Sequence, residues 1–245
     1  MSHTVLILGA TSAIARATAV AFAKRGAALF LASRDEEELQ RIAADIRLRY
    51  GVAVNHGLFD AEATNTHEAF FNSVVAAMPN LSGVVLAFGY LGDQQAARDF
   101  KVGAKVIACN FSGAASILSH CANHFETLQS GFIIGISSVA GDRGRQSNYV
   151  YGAAKGALSL YLQGLRNRLY KSGVRVITIK PGFVDTAMTY GLPGLFLVAS
   201  PQSVGERIVA AVGKSADVVY LPRFWRYIML IIKHIPEFIF KRMKL

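Results

Sequence analysis

Thr4-Val5-Leu6-Ile7-Leu8-Gly9-Ala10-Thr11-Ser12-Ala13-Ile14-Ala15-Arg16 is an apolar run that breaks at a glycine and passes at once into helix-forming residues. The pattern predicts a buried strand, a tight turn and a helix, and it repeats along the 245 residues. Short apolar, β-branched runs predict strands over 4–9, 28–33, 52–59, 82–88, 131–137, 174–180 and 217–221. Helices are expected near 13–26, 35–50, 65–78, 96–126, 149–172 and 201–213. Val84-Val85-Leu86-Ala87 and Phe132-Ile133-Ile134-Gly135-Ile136 are nearly continuous apolar runs, as suits parallel strands covered on both faces. Alternating strands and helices imply right-handed crossovers. The expected fold class is therefore α/β: a doubly wound parallel sheet of about seven strands, flanked by helices on both faces. No repeat, low-complexity tract or linker interrupts it. Residues 1–222 read as one domain, and 223–245 as a basic amphipathic tail, either part of that domain or a membrane-facing extension.

Composition narrows the class further. Apolar residues make up 52% and charged residues 17%, which excludes a disordered chain. A chain of this length can bury a substantial core without staples. Cys109 and Cys121 form no CxxC pair and are expected as buried free thiols in a helix, which fits a reducing compartment. The chain opens directly into its first strand with no leader pattern, so a cytoplasmic protein is expected. The six histidines form no ligand set; His120 and His124 are four apart without a third partner, and no metal is expected.

Charge is uneven. The net charge is +10, and Arg223, Arg226, Lys233, Lys241, Arg242 and Lys244 stand against Glu237 alone in the last stretch of the chain. Such a surface can attract nucleic acid, anionic lipid or acidic substrates. Its cations alternate with large aliphatics, which argues against nucleic acid.

The first turn, Gly9 to Arg16, is built of small residues that let backbone N–H groups and a helix N-terminus approach a pyrophosphate. Plain packing produces the same motif. The second strand ends in Ala32-Ser33-Arg34-Asp35, where the adenosine ribose of a dinucleotide would lie. A cation there suits a 2′-phosphate, so Arg34 favours NADP, with NAD the alternative because Asp35 adjoins it. Arg16 either helps or is a solvated helix residue. Asp60, in Phe59-Asp60-Ala61, either meets the adenine amino group or caps a turn. Ala87-Phe88-Gly89 places another small turn on the same edge.

Tyr151-Gly152-Ala153-Ala154-Lys155 places a phenol and an ammonium on one helix face. An isolated phenol titrates at about 10. A nearby ammonium would lower that value and let Tyr151 exchange protons with a carbonyl or alcohol. By itself the pair reads equally well as surface decoration. Ser137-Ser138-Val139-Ala140-Gly141 ends the fifth strand, Asn110 lies on the long preceding helix, and Pro181-Gly182-Phe183-Val184-Asp185-Thr186 follows the sixth strand.

With these residues in this order, the chain over roughly 4 to 190 resembles the short-chain dehydrogenase/reductase family, whose fold is a Rossmann-type sheet. The resemblance implies an enzyme in which Ser138 orients the substrate carbonyl and Tyr151 is the acid–base. Lys155 would also bind the nicotinamide ribose, and Asn110 would support a water-linked proton relay. Implied cofactor contacts are Gly9, Thr11, Ser12, Ala13 and Ile14, then Arg34, Asp60, Ala61, Ala87 and Gly89, then Tyr151 and Lys155, and last Pro181, Gly182, Val184 and Thr186. Val184 and Thr186 would hold the carboxamide. Two departures stand out. Ala13 and Ala15 occupy positions where the family usually has glycine, crowding the pyrophosphate or the helix–strand contact. Leu86-Ala87-Phe88-Gly89 replaces its asparagine-rich turn.

The segment from Ala87 to Asp93 and the tail, Pro222 to Arg242, are similar to the decaprenylphosphoryl-2-keto-ribose reductase branch of that family, which implies a ketone on a polyprenyl-phosphate sugar. Tyr227 to Ile232, the longest uncharged stretch of the tail, is far below the ~20 residues needed to cross a bilayer. Aromatics and flanking cations suit lying in the interface, on the inner face of the membrane. The apolar segment Leu192 to Val198 is expected to close over the substrate. Alternatives are a 3-ketoacyl or small-ketone reductase, or a non-catalytic dinucleotide-binding scaffold. A packed tail or a dimer seal is an equal reading of residues 223–245. The resemblance also implies a homodimer or homotetramer through the helices near 96–126 and 149–172.

Overall fold

A computed structural model describes residues 3–191 and 196–243. The expected seven strands are all present: β1 (Thr4–Leu8), β2 (Ala28–Ser33), β3 (Val54–Leu58), β4 (Gly83–Leu86), β5 (Phe132–Ile136), β6 (Arg175–Pro181) and β7 (Val218–Leu221). They form one parallel sheet in the order β3-β2-β1-β4-β5-β6-β7. Nine helices are described: α1 (Ala13–Ala23), α2 (Glu36–Tyr50), α3 (His67–Ala77), α4 (Phe100–Ile107), α5 (Gly113–Leu128), α6 (Tyr149–Leu169), α7 (Pro201–Val212), α8 (Trp225–His234) and α9 (Glu237–Phe240).

Strand periodicity divides the core in two. Val5 and Ile7 of β1 face a layer that includes Phe22 of α1, Ile42 of α2 and Ile208 of α7. Leu6 and Leu8 face a second layer with Phe71 of α3, Leu118 of α5 and Leu162 of α6. Both faces of the central strands are therefore covered, which is why those strands read as unbroken apolar runs. Strand order reverses between β1 and β4, leaving a crevice at their carboxyl ends.

Local signals set the helix ends. Ser12 accepts the Ala15 N–H to cap α1, and Asp35 accepts the Glu38 N–H to cap α2. Ser200 caps α7 and Pro201 opens it.

One expected helix is corrected. Residues 96–126 do not form a single α-helix: α4 and α5 are joined by a π-helical turn, Ala108–Ser112. Its cause is visible on both sides. Asn110 points inward, and Gly113 presses on the preceding loop so closely that a Cβ would lie 1.9 Å from the Ala61 carbonyl. The helix expected over 149–172 ends at Leu169 and tightens into a 3₁₀ turn through Ser172, where Gly173 adopts φ +69°.

The tail is laid against the domain. Trp225 and Met229 of α8 are buried with Val139, and Phe183 and Ile228 pack beside them. Gly182 admits this: a Cβ there would sit 1.9 Å from Trp225 Nε1. Arg143 donates to the Lys233 carbonyl at 2.9 Å and to Glu237 at 2.7 Å, with its guanidinium 4.1 Å from the Phe240 ring centroid. Beneath α8, buried Asp142 pairs with Lys180 and accepts the Tyr220 hydroxyl at 2.7 Å, tying β6 and β7 to the segment after β5. Lys244 and residues 192–195 of the expected apolar closing segment lie outside the described residues.

α1 packs tightly on α7, where a Cβ on Gly205 would meet the Ala17 backbone at 2.6 Å. Gly205→Ala is expected to lower stability by about 1–3 kcal/mol through overpacking. Gly164→Ala, on the exposed face of α6 with nothing within 4 Å of its Cβ, is the control. That change should raise stability by roughly 0.5–1 kcal/mol. Urea denaturation midpoints of the two variants measure both effects.

Candidate active site

The turns that follow β1, β2, β3 and β4 enclose a cavity of about 250 Å³ at the carboxyl edge of the sheet. Gly9, Thr11 and Ser12 line it from the first turn, Ser33 and Arg34 from the second, Asp60, Ala61 and Glu62 from the third, and Phe88, Gly89 and Tyr90 from the fourth. Gly9 is indispensable to its shape. The residue has φ +81°, and a Cβ would lie 2.6 Å from the Phe88 backbone nitrogen, so the two turns touch. Gly9 N–H and Ala10 N–H both donate to the Ala32 carbonyl, at 2.8 and 3.0 Å, and the Thr11 and Ser33 hydroxyls bond at 2.8 Å. First-turn amides of α1 have no intrahelical acceptor, which leaves an electropositive helix end at the cavity.

Asp60 is held from behind. Buried His67 contacts the Asp60 carbonyl with Nε2 and the Ser116 hydroxyl with Nδ1, each at 2.9 Å. A carbonyl only accepts, so Nε2 carries the proton; burial pushes the imidazole pKa down and keeps the ring neutral. At the mouth, Arg34 is largely exposed and 4.0 Å from Glu62, a weak pair that leaves its guanidinium free to meet an anion.

Tyr151 and Lys155 sit one turn apart on the buried face of α6. Two glycines bring that face against the segment after β5. A Cβ on Gly152 would meet the Ala140 carbonyl at 2.8 Å, and one on Gly141 the Lys155 carbonyl carbon at 2.7 Å. Ser138 accepts the Ala140 N–H at 3.1 Å, and its hydroxyl stands near the Tyr151 phenol. Ser137 donates to the Lys155 carbonyl at 2.9 Å and bonds the Ser159 hydroxyl at 2.7 Å, fixing this part of the helix.

The electrostatics correct the expectation of an acidified phenol. Burial pushes the Tyr151 pKa up to about 12, with the nearby Ser138 hydroxyl opposing the shift. Burial likewise pulls the Lys155 ammonium down to about 8. Lys155 Nζ donates to the Ile136 carbonyl at 3.2 Å and lies 5.8 Å from the centre of the Tyr151 ring. The ammonium is turned toward β5 and Gly89, and desolvation outweighs its attraction for a phenolate. In this state Tyr151 is a neutral hydroxyl, suited to donating a proton rather than accepting one.

The Asn110 side chain holds the backbone around it. Its Nδ2 donates to the Val106 carbonyl at 2.9 Å and the Tyr90 carbonyl at 2.6 Å, while Oδ1 accepts the Tyr90 N–H at 3.2 Å. The side chain thus clamps the loop after β4. A Cβ on Gly89 would lie 2.9 Å from Asn110 Oδ1 and 3.1 Å from Lys155 Nζ, so this glycine keeps open the space that both face.

Several expected cofactor contacts do not line the cavity. Ala13 faces a groove between α1, α2 and α7, Ile14 packs on the core, and Ala15 is fully buried. Successive helical residues point 100° apart, so the methyls that replace the family's glycines turn away from the cavity and leave its floor clear. Ala87 is partly buried, its N–H donating to the Leu8 carbonyl. Pro181 is buried and Gly182 is covered by Trp225. Val184 is buried, and its carbonyl accepts the Thr189 hydroxyl, which also accepts the Thr186 N–H at 3.2 Å.

The sequence offers no sign that Lys105 and Cys109 line the cavity, and Cys109, expected to be buried, is only partly so. Lys105 stands on α4 and Cys109 in the π turn, both within five residues of Asn110. No metal-ligating cluster occurs among the described residues. The site fits a dinucleotide on one further observation: buried Lys155 has a single acceptor among the described residues, leaving two N–H donors for ribose hydroxyls.

Comparison with known proteins gives concordant results. A family profile described as short chain dehydrogenase matches residues 3–193. An uncharacterized oxidoreductase of Mycobacterium tuberculosis is 34% identical over 219 residues, covering 89% of this chain and 88% of the relative. Another from Streptomyces coelicolor is 32% identical, covering 98% of this chain and 96% of its own. In fold, the chain superposes on NAD⁺-bound xylitol dehydrogenase with a TM-score of 0.80 at 20% identity, over 90% of this chain and 97% of that one.

The Lys155 shift predicts a pH-dependent stability. Its folded pKa, about 8, lies below the unfolded value of 10.5, so the cost of burying the charge is complete below pH 8 and vanishes as pH rises to 10.5. That cost is roughly 3 kcal/mol. Lys155→Met is therefore expected to unfold several degrees higher than wild type at pH 7, with the difference shrinking as the pH rises above 8. Thermal unfolding of both proteins across this range reads it.

Proposed function

Because this chain belongs to the short chain dehydrogenase family, we propose that it reduces a ketone with NADPH, Tyr151 protonating the carbonyl oxygen as the alcohol forms. The observation that carries this reading is the placement of Tyr151 and Lys155 on the buried face of α6, with Ser138 beside the phenol at the carboxyl edge of the sheet. The chain is an NAD(P)-dependent oxidoreductase, and the bound nicotinamide supplies the hydride. Ser138 orients the carbonyl by donating to its oxygen beside the phenol. Lys155, with two donors unpaired among the described residues next to Gly89, would hold ribose hydroxyls, and its positive charge would offset the phenolate left as the Tyr151 proton departs. Asn110 keeps the loop after β4 from closing that space.

Exposed Arg34 at the end of β2 supports NADP over NAD, since a guanidinium recognises a 2′-phosphate with two parallel hydrogen bonds.

For the substrate, we favour a ketone on an apolar carrier, of the polyprenyl-phosphate-sugar type that the sequence resemblance implies. Support comes from the segment after β6. Phe183, Phe196 and Trp225 meet in a cluster with ring centres 5.6–5.8 Å apart. In the same segment Met188, Tyr190, Leu197 and Val198 are exposed, forming an apolar rim, and Val139, which follows Ser138, is buried with Trp225. Charged small ketones gain nothing from such a rim.

Tyr151→Phe is expected to lower ketone reduction by about 10²–10⁴-fold with NADPH affinity little changed; turnover equal to wild type would end the enzymatic reading. Arg34→Gln should weaken NADPH binding by roughly 10–100-fold, the value of a charged hydrogen-bonding contact, and leave NADH untouched. Fluorescence titration with each reduced cofactor distinguishes this from a general loss of binding.

A further inference from the structure

We propose that α8 and α9 dock this protein on a bilayer surface rich in anionic phospholipid. α8 is apolar on two faces. Trp225 and Met229 are buried against the domain, yet Tyr227, Leu230 and Ile231 on the opposite face are 66%, 56% and 69% exposed. Phe238 and Ile239 of α9 extend this surface, at 62% and 44% exposure. A helix apolar on two opposite faces requires a second apolar environment for the face the domain does not cover. Ten residues make α8 about 15 Å long, too short to cross a membrane but suited to lying in its interface.

Charge selects the partner. Arg223, Arg226, Lys233, Lys241 and Arg242 are exposed along the same segment, and its one acid among the described residues, Glu237, is taken by Arg143. Where α8 meets α7 and β7, a second cavity of about 260 Å³ is lined by Arg207, Lys214, Arg223 and Arg226 with no carboxylate, over a floor that includes Val219 and Leu221. Cationic walls on an apolar floor match a phosphodiester headgroup with its acyl chains alongside. A second copy of this chain would bring like charges together. Nucleic acid would leave Leu230, Ile231 and Phe238 in water. Phe196 packs on Trp225, so the buried face of α8 adjoins the apolar rim of the candidate active site.

Docking stands independently of the reaction: protein that binds vesicles without reducing any ketone supports it alone. The test is flotation of the full chain with phosphatidylcholine vesicles, with and without phosphatidylglycerol. Wild-type protein should float only with the anionic vesicles, less as salt rises. The double variant Arg223→Glu, Arg226→Glu should lose at least on the order of 30-fold in partitioning, about fivefold for each cation removed. Leu230→Glu with Ile231→Glu, which leaves every cation in place, should lose binding as well. All four positions are exposed, and an unchanged unfolding transition verifies that both variants fold. Wild type that stays at the bottom with anionic vesicles, or variants that float as it does, would overturn the proposal. A wild-type dimer on size exclusion that the Leu230→Glu, Ile231→Glu variant breaks would assign the face to a second copy instead. Inorganic phosphate that abolishes flotation at concentrations too low to screen charge would reduce the cavity to a soluble-anion site and likewise overturn it.

Discussion

The burial of an ammonium group beside a phenol is the constraint around which this molecule is arranged. Neither Lys155 nor Tyr151 gains from leaving water. The lysine loses affinity for its proton and the tyrosine holds its own more tightly. Both remain inside because small residues on α6 and after β5 let two backbones meet, and because Ser137, Ser138 and the Ile136 carbonyl meet part of the polar demand. What is left unmet, two donors on Lys155, points into the space kept open by Gly89. A domain optimised only for stability would place a methionine there. The charge therefore reads as kept for binding and chemistry.

The cavity depends on backbone more than on side chains. Gly9 touches the Phe88 backbone, Gly113 touches the Ala61 carbonyl, and the Asn110 amide spans to both polar atoms of the Tyr90 backbone. Each contact ties a turn at the carboxyl edge to its neighbour, so the cavity is a product of the parallel sheet and its crossovers. The two alanines that replace glycines in the first turn do not disturb it, because their methyls point to the outer groove and the core. The glycine at 205 instead admits the close approach of α1 to α7.

The tail joins the domain through the same region. Trp225 covers Gly182 at the end of β6, and Arg143 holds α8 and α9 by their polar atoms. One face of α8 is thereby spent on the fold while the other carries exposed aliphatics and aromatics. This arrangement places the membrane-facing candidate surface and the mouth of the candidate active site on neighbouring parts of the molecule.

Much of this was legible in the chain alone. Seven apolar runs of strand length, separated by amphipathic helical segments, specify a parallel doubly wound sheet, because burial on both faces leaves a local hydrophobic signature. The Tyr151–Lys155 spacing and Ser138 at a strand end were legible for the same reason: they lie within single elements. Contacts between elements were not. The π turn at Asn110 comes with the approach of Gly113 to a distant loop, and the lining of the cavity by Lys105 and Cys109 depends on how α4 and that turn pack. The direction of the Tyr151 shift was misread because spacing shows only that a cation is near. Whether its charge or the loss of water prevails is decided by the depth of burial and by where the ammonium points, and both belong to the packed molecule.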